Sequence, residues 1–337
     1  MDVDGTVIVT GGLGFIGHHL VEHLHRRGAR VVVLDKCTYA SQGLSRLRDA
    51  ALLWSPRVRV FTHDLAAPLP EGIAREVDLA SVRVIFHLAA DTHVDRSIAR
   101  PVETIQNNVM STVGVLELAR RCPALDAVLV FSTDEVFGPA APGVAFKEWD
   151  RHRPTNPYSA SKSAGEQIAL AYENTYGLPV TIVNVMNVFG ERQHVEKFIP
   201  KVMAALRTPG APIEVHADPT ATVPGSRFYI HARNVADALL FVLALPPERR
   251  VGDKFNIRGE QELDNLQVVR RVAALMGVPD PPFKLVNFHA DRPGHDLRYA
   301  LDGTKLSDLG WEPSVPFDDS LRKVVQWTLA HPEWLEP

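Results

Sequence analysis

The sequence predicts an α/β fold, a doubly wound parallel sheet with a smaller C-terminal α/β lobe. Three observations predict it. Short β-branched runs alternate with helical patterns through the first half, a glycine-rich turn joins the first run to the first helical pattern, and the alternation loosens after about residue 187.

The predicted strands run from Thr6 to Thr10, Arg30 to Leu34, Val58 to Thr62, Arg83 to Leu88, Ala127 to Ser132 and Val180 to Val185. Each is short and apolar on both faces, as strands covered by helices on two sides must be. Helical patterns with apolar residues near the 3.6 period fill the gaps, from Phe15 to Arg27, Val102 to Arg121 and Ser159 to Tyr176. Beyond Asn187, Pro and Gly at Pro209, Gly210, Pro212, Pro219, Pro224 and Gly225 break the chain into shorter pieces. Helical patterns return from Asn234 to Leu245, Asn265 to Met276 and Asp318 to Leu329. No internal repeat or low-complexity stretch interrupts this.

With 337 residues, 45% hydrophobic and 23% charged, the whole chain is expected to fold. A formal net charge of −4 offers no basic field for a phosphate backbone, so nucleic acid is not an expected partner. Cys37 and Cys122 are too few for a disulfide framework and lack the paired spacing of a zinc site. The acidic start and the absence of a long apolar run predict no signal peptide, no membrane partner and a cytoplasmic location. The 14 histidines contain no His-Glu-x-x-His, and neighbours such as His18 and His19 point to different helix faces, so no metal is expected.

The segment Gly11-Gly12-Leu13-Gly14-Phe15-Ile16-Gly17 follows a strand and opens a helix, the context that a dinucleotide-binding Rossmann fingerprint requires. Glycines there permit a tight turn, close approach of backbone to a pyrophosphate, and packing of helix on sheet. Asp35, at the end of the second strand, can accept both ribose hydroxyls of an adenosine and would repel a 2′-phosphate. That points to NAD, with Lys36 leaving some room for NADP. Asp64 and Leu65 are placed at the adenine edge, and Leu88, Ala89 and Ala90 where backbone passes beside the cofactor. Residues 1–186 are read as the dinucleotide-binding domain, with some later segments returning to it, and 187–337 mainly as a substrate lobe.

Tyr158 and Lys162 stand four apart in a helical pattern, on one face and one turn apart. An adjacent ammonium and a cofactor cation would favour the phenolate of a tyrosine whose free pKa is near 10. Alone, such a pair also describes an ordinary surface helix. Its company is Ser132-Thr133-Asp134-Glu135 at the end of the fifth strand, where side chains converge on the ligand crevice of such a sheet. Asp134 and Glu135 alone would read as a polar turn capping the next element.

With Ser132-Thr133-Asp134-Glu135-Val136-Phe137-Gly138, Asp35-Lys36-Cys37-Thr38-Tyr39-Ala40, Ala89-Ala90-Asp91-Thr92-His93-Val94-Asp95-Arg96-Ser97 and Arg292-Pro293-Gly294-His295-Asp296-Leu297-Arg298-Tyr299, the chain resembles the extended short-chain dehydrogenase/reductases. Within them it resembles the nucleotide-sugar 4,6-dehydratases, those acting on dTDP-glucose being nearest in kind. The resemblance implies a nucleotide-diphosphate hexose as substrate, a homodimer, and Lys36 and Thr38 beside the cofactor. It implies Tyr158 as base at the C4 hydroxyl, Thr133 on the reacting oxygen, Lys162 on the nicotinamide ribose, Glu135 at C5 and Asp134, kept protonated by its acidic neighbour or a closed site, at the C6 hydroxyl. It also implies His93, Asn187, Lys197, Arg227 and Arg298 near the sugar nucleotide. The loop His216 to Ser226 is longer than the short Gly-Asp-Gly loop of the family, and Met186-Asn187-Val188-Phe189-Gly190-Glu191 replaces its Asn-Asn-Tyr-Gly-Pro, leaving dTDP, UDP, CDP and GDP sugars open. A C4 epimerase, a uronate decarboxylase or a non-catalytic NAD-responsive binding protein could share the scaffold.

Overall fold

A computed structural model describes residues 5–208, 210, 212–287 and 297–336. Seven strands form one sheet: β1 (Thr6–Thr10), β2 (Arg30–Asp35), β3 (Val58–Thr62), β4 (Val82–His87), β5 (Ala127–Thr133), β6 (Val180–Val185) and β7 (Lys254–Ile257). Their spatial order is β7-β6-β5-β4-β1-β2-β3, and every pairing is parallel. The order reverses between β1 and β4, and ligands bind at such a switch point beyond the carboxyl ends of the strands.

Alternating residues of β1 enter two separate cores, which is why the strand reads as continuously apolar. Val7 and Val9 pack with Leu20, Leu24, Val235 and Leu239, beneath α1 (Phe15–Arg26) and α4 (Ala232–Ala244). Ile8 packs on the other face with Val115, Leu116 and Val128, beneath α2 (Pro101–Arg120), which lies against α3 (Pro157–Tyr176). A third core around Phe189, Val202, Met203, Val268 and Val324 belongs to the C-terminal part.

Two expectations are corrected. β3 is not apolar on both faces: Arg59 and Thr62 are exposed, because β3 is the outer edge of the sheet and has a neighbour on one side only. His18 and His19 do not diverge either. Both are buried, with ring centroids 4.0 Å apart, because α1 is enclosed by the sheet, α4 and the Glu191 segment over a wide arc. His18 Nδ1 meets the Gly14 carbonyl and His19 Nε2 the Glu191 carbonyl, each at 3.2 Å. Boundaries shift slightly: the fourth strand is Val82–His87, and α3 starts at Pro157 because Asn156 caps it through a reciprocal box with Ser159. Of the segment Arg292 to Tyr299, residues 292–296 lie outside the described residues.

Candidate active site

The dinucleotide half of the crevice is built from close backbone approaches. Gly11 has φ +68°, and a Cβ there would lie 2.8 Å from the Ala89 backbone; one on Gly17 would lie 2.1 Å from the Gly11 carbonyl oxygen. Only glycine leaves this cradle open at the start of α1. The Asp35 carboxylate is buried and accepts the amides of Leu13 at 3.1 Å and Cys37 at 2.8 Å. Burial raises its pKa. Gly11, Gly14, Phe15, Ile16, Gly17, Asp35, Lys36, Thr38, Asp64, Leu65, Leu88, Ala89 and Ala90 all line one continuous crevice. The Lys36 ammonium is hydrogen-bonded to Asn107 and 3.8 Å from Asp64.

The same crevice continues to Thr133, Asp134, Glu135, Tyr158 and Lys162. Thr133 ends β5, and the next turn carries the acid pair. Thr133 Oγ1 donates to Asp134 Oδ1 at 2.9 Å and accepts the Glu135 amide at 3.3 Å. Tyr158 stands in the first turn of α3 and lines the crevice beside Thr133. Glu135 Oε2 accepts from Asn156 Nδ2 at 3.1 Å and from the Tyr299 hydroxyl at 3.5 Å. Asp134 Oδ2 is buried with no hydrogen-bond partner among the described residues.

Burial decides the protonation here. It raises Asp134 to about 6, against the opposing pull of Arg227 and the hydrogen bond from Thr133. Of the two causes expected, burial is the one that raises it. Burial lowers Lys162 to about 8, with Glu166 the anion that opposes it. The expected activation of Tyr158 by Lys162 does not appear in the protein itself: burial, Glu135 and Asp134 push the phenol above its ordinary value. An ammonium that is itself desolvated and drawn toward Glu166 has little to offer the phenol.

The substrate-side residues divide. Asn187 and Lys197 line the crevice, with Lys197 also 3.5 Å from Glu196. His93, Arg227 and Arg298 are not among the lining residues. His93 Nδ1 caps the helix Val94–Ala99 by accepting from Arg96 N at 3.3 Å, and its Nε2 lies 3.6 Å from Glu196. Arg227 donates to the carbonyls of Ser226 and Leu297 and stacks over Tyr299 at 4.5 Å. Arg298 grips Glu262 at 2.7 and 2.9 Å and the carbonyls of Ala141 and Val144. A guanidinium fork satisfied on both edges holds the wall together.

Sequence reasoning missed Asn156 and Tyr299 as the pair that holds Glu135. Asn-Pro ahead of a helical pattern is a start signal that could have exposed the first. It also missed Arg46, which is wholly buried and ties the turn at Leu13 to the loop carbonyls of Ala40 and Ser41. A single arginine in an unremarkable stretch carries no signal for that. Among the described residues no group of three His, Cys, Asp or Glu could hold a metal, and no helix is long and apolar enough to cross a membrane.

A glycine-cradled dinucleotide crevice opening onto threonine, tyrosine and lysine defines an extended short-chain dehydrogenase/reductase. The family model described as GDP-mannose 4,6 dehydratase matches residues 8–324. The probable dTDP-glucose 4,6-dehydratase of Sinorhizobium fredii is 36% identical, with 98% of this chain and 95% of that protein covered. The dTDP-glucose 4,6-dehydratase of Escherichia coli is 35% identical over 98% and 94%. The crystal structure of DesIV, a dTDP-glucose 4,6-dehydratase from Streptomyces venezuelae with NAD and TYD bound, superimposes with a TM-score of 0.85 at 35% identity, covering 98% and 99%. The chain belongs to the nucleotide-sugar 4,6-dehydratase family.

Proposed function

We propose that the chain uses NAD to convert dTDP-glucose to its 4-keto-6-deoxy product. The observation that carries this reading is Asp134: a buried carboxyl raised to about 6, one oxygen unpartnered, beside Tyr158 and Glu135 in one crevice. A buried acid with a free oxygen is suited to giving a proton to a leaving hydroxyl. The Gly11 and Gly17 cradle and the Asp35 carboxylate fit an adenosine dinucleotide without a 2′-phosphate.

Held by the Gly11 and Gly17 cradle and by Asp35, NAD would supply reversible hydride acceptance, from the sugar C4 and back to C6. Tyr158 takes the proton of the C4 hydroxyl, and Thr133 hydrogen-bonds the same oxygen. Lys162 holds the nicotinamide ribose. The C4 ketone acidifies C5, and Glu135, steadied by Asn156 and Tyr299, takes the C5 proton. Asp134 gives its proton to the C6 hydroxyl, which departs as water. Glu135 then returns a proton to C5, Tyr158 releases its proton to solvent and Asp134 regains one, so the sugar has lost one water and the side chains end as they began.

Asn187 and Lys197 serve the diphosphate in this reading. Arg227 and Arg298 shape the wall behind it, and the part after residue 187 provides most of the nucleotide side. Val102, Ile105 and Met110 of α2 and Tyr176 of α3 are exposed apolar residues that support a homodimer through these helices. Cys37 and Cys122 are both free, which fits the cytoplasm.

The test is mass spectrometry after incubation in heavy water with dTDP-, UDP-, CDP- and GDP-hexoses. Loss of one water from dTDP-glucose, one deuterium at C5 and no net NADH support the reading. A C4 epimer formed without water loss overturns it in favour of an epimerase.

A further inference from the structure

We propose that Glu166, one helical turn beyond Lys162 on α3, is a positioning residue of the reaction that clamps the end of β5 behind Thr133 and provides the counter-charge of Lys162. The inference rests on the dehydratase reading for its chemical meaning and on geometry for its substance.

Glu166 is 1% exposed. Its Oε1 accepts from Ser132 Oγ at 2.5 Å and from Asn184 Nδ2 at 2.7 Å. The same Asn184 amide reaches the Thr133 carbonyl at 3.2 Å. One carboxylate oxygen therefore fixes β5, β6 and the carbonyl from which the Asp134–Glu135 turn departs. Its Oε2 accepts from Lys254 Nζ of β7 at 2.8 Å, an ion pair in which both partners are buried. His152 completes the cluster, with Nε2 3.2 Å from Lys254 Nζ and 3.5 Å from Glu166 Oε2, and Nδ1 2.8 Å from Ser163 Oγ.

Lys254 alone would balance Glu166 and leave a closed structural pair. The second ammonium changes the reading. Tyr158, Lys162 and Glu166 recur every fourth residue, so they share one face of α3. Lys162 is faced by His87 from β4 and by Tyr158 and Glu166 from its own helix. Burial lowers His87 to about 3 and also lowers His152, so neither imidazole carries charge near neutrality. Glu166 is the anion acting on Lys162. One carboxylate is thus bonded to the ammonium on β7 and stands one helical turn from the ammonium in the crevice.

The proposal is tested by NMR titration of the full chain carrying 13C-labelled lysine, with the Lys162 signal assigned through Lys162→Met. The native midpoint is expected at about 8. Glu166→Gln should move it to lower pH by about one unit, a tenfold change in the proton-binding constant, and Glu166→Asp should restore part of the shift. The loss of kcat/KM in Glu166→Gln should be greatest on the alkaline side, where the ammonium is depleted first. If Glu166→Gln does not fold because Lys254 is left unpaired, Glu166→Gln/Lys254→Met removes both charges together and should move Lys162 in the same direction by a smaller amount, because the like charge of Lys254 is lost as well. An unmoved midpoint in either folded variant, or a loss of activity equal at every pH, overturns the proposal. A moved midpoint in a protein that dehydrates no nucleotide hexose sustains the charge pairing and removes the dehydratase reading instead.

Discussion

Replacing Asp134 by Asn removes the proposed proton donor and, with it, a buried carboxyl that works against the fold at neutral pH. Burial raises Asp134 from 3.8 to about 6. Because the folded value exceeds the unfolded one, the native state holds the extra proton between about pH 4 and 6. Below that window the acid is neutral in both states and has no effect on stability. As pH rises through it, the native state must either keep a proton the solvent no longer supplies or bury a charge. The gap of about two units amounts to about 3 kcal/mol above pH 7. Asn keeps the shape without the charge, so Asp134→Asn should match the parent near pH 4 and exceed it by about 3 kcal/mol at pH 8. For a chain of this size that is a gap in Tm of about 4 °C opening between the two pH values. Thermal unfolding of both proteins across this range, without added nucleotide, measures it. Dehydration by the same samples should fall by about a hundredfold or more. Parallel melting curves across the range would refute burial as the source of the raised pKa.

Other perturbations follow from the same geometry. Gly17→Ala puts a methyl where the Gly11 carbonyl stands, and NAD affinity measured by fluorescence titration should fall at least about tenfold, roughly 1.4 kcal/mol; unchanged affinity contradicts the cradle. Lys197→Met should raise KM for the sugar nucleotide about tenfold with kcat retained, the loss of one charged phosphate contact. Arg298→Met should instead lower Tm and leave KM within about twofold, so a selective rise in KM would return Arg298 to the substrate. Val102→Glu on the exposed edge of α2 should turn a sedimenting dimer into monomer, and a native protein that sediments as a monomer at high concentration removes that assembly.

The parts legible in sequence are those that local pattern specifies. β1, β3 and β6 have the predicted ends because β-branched runs stop at turn residues, and the Gly11 to Gly17 cradle announces itself by its spacing between strand and helix. What escaped depends on partners distant in the chain. Nothing near Arg59 says that β3 has a neighbour on one side only, and nothing near His18 says that α4 will close over it. Arg298 carries the residue type of a phosphate ligand, yet Glu262 and two loop carbonyls take up its donors. Glu166 looks like an ordinary helical glutamate until β7 brings Lys254 to it.

That last strand has a bearing on how the protein is made. β7 pairs with β6 at the edge of the sheet, but it lies some seventy residues downstream, with several helices and short strands between them. On a ribosome, the first six strands can emerge and pair while their outer edge stays uncovered and Glu166 has no Lys254. The nascent chain thus carries a bare strand edge and a lone acid until residues 254–257 appear, an interval in which such edges invite other chains. A truncation just after residue 186, drawn to isolate the nucleotide-binding half, would make that interval permanent. Soluble fragments of this enzyme are accordingly to be sought with the segment through Ile257 retained.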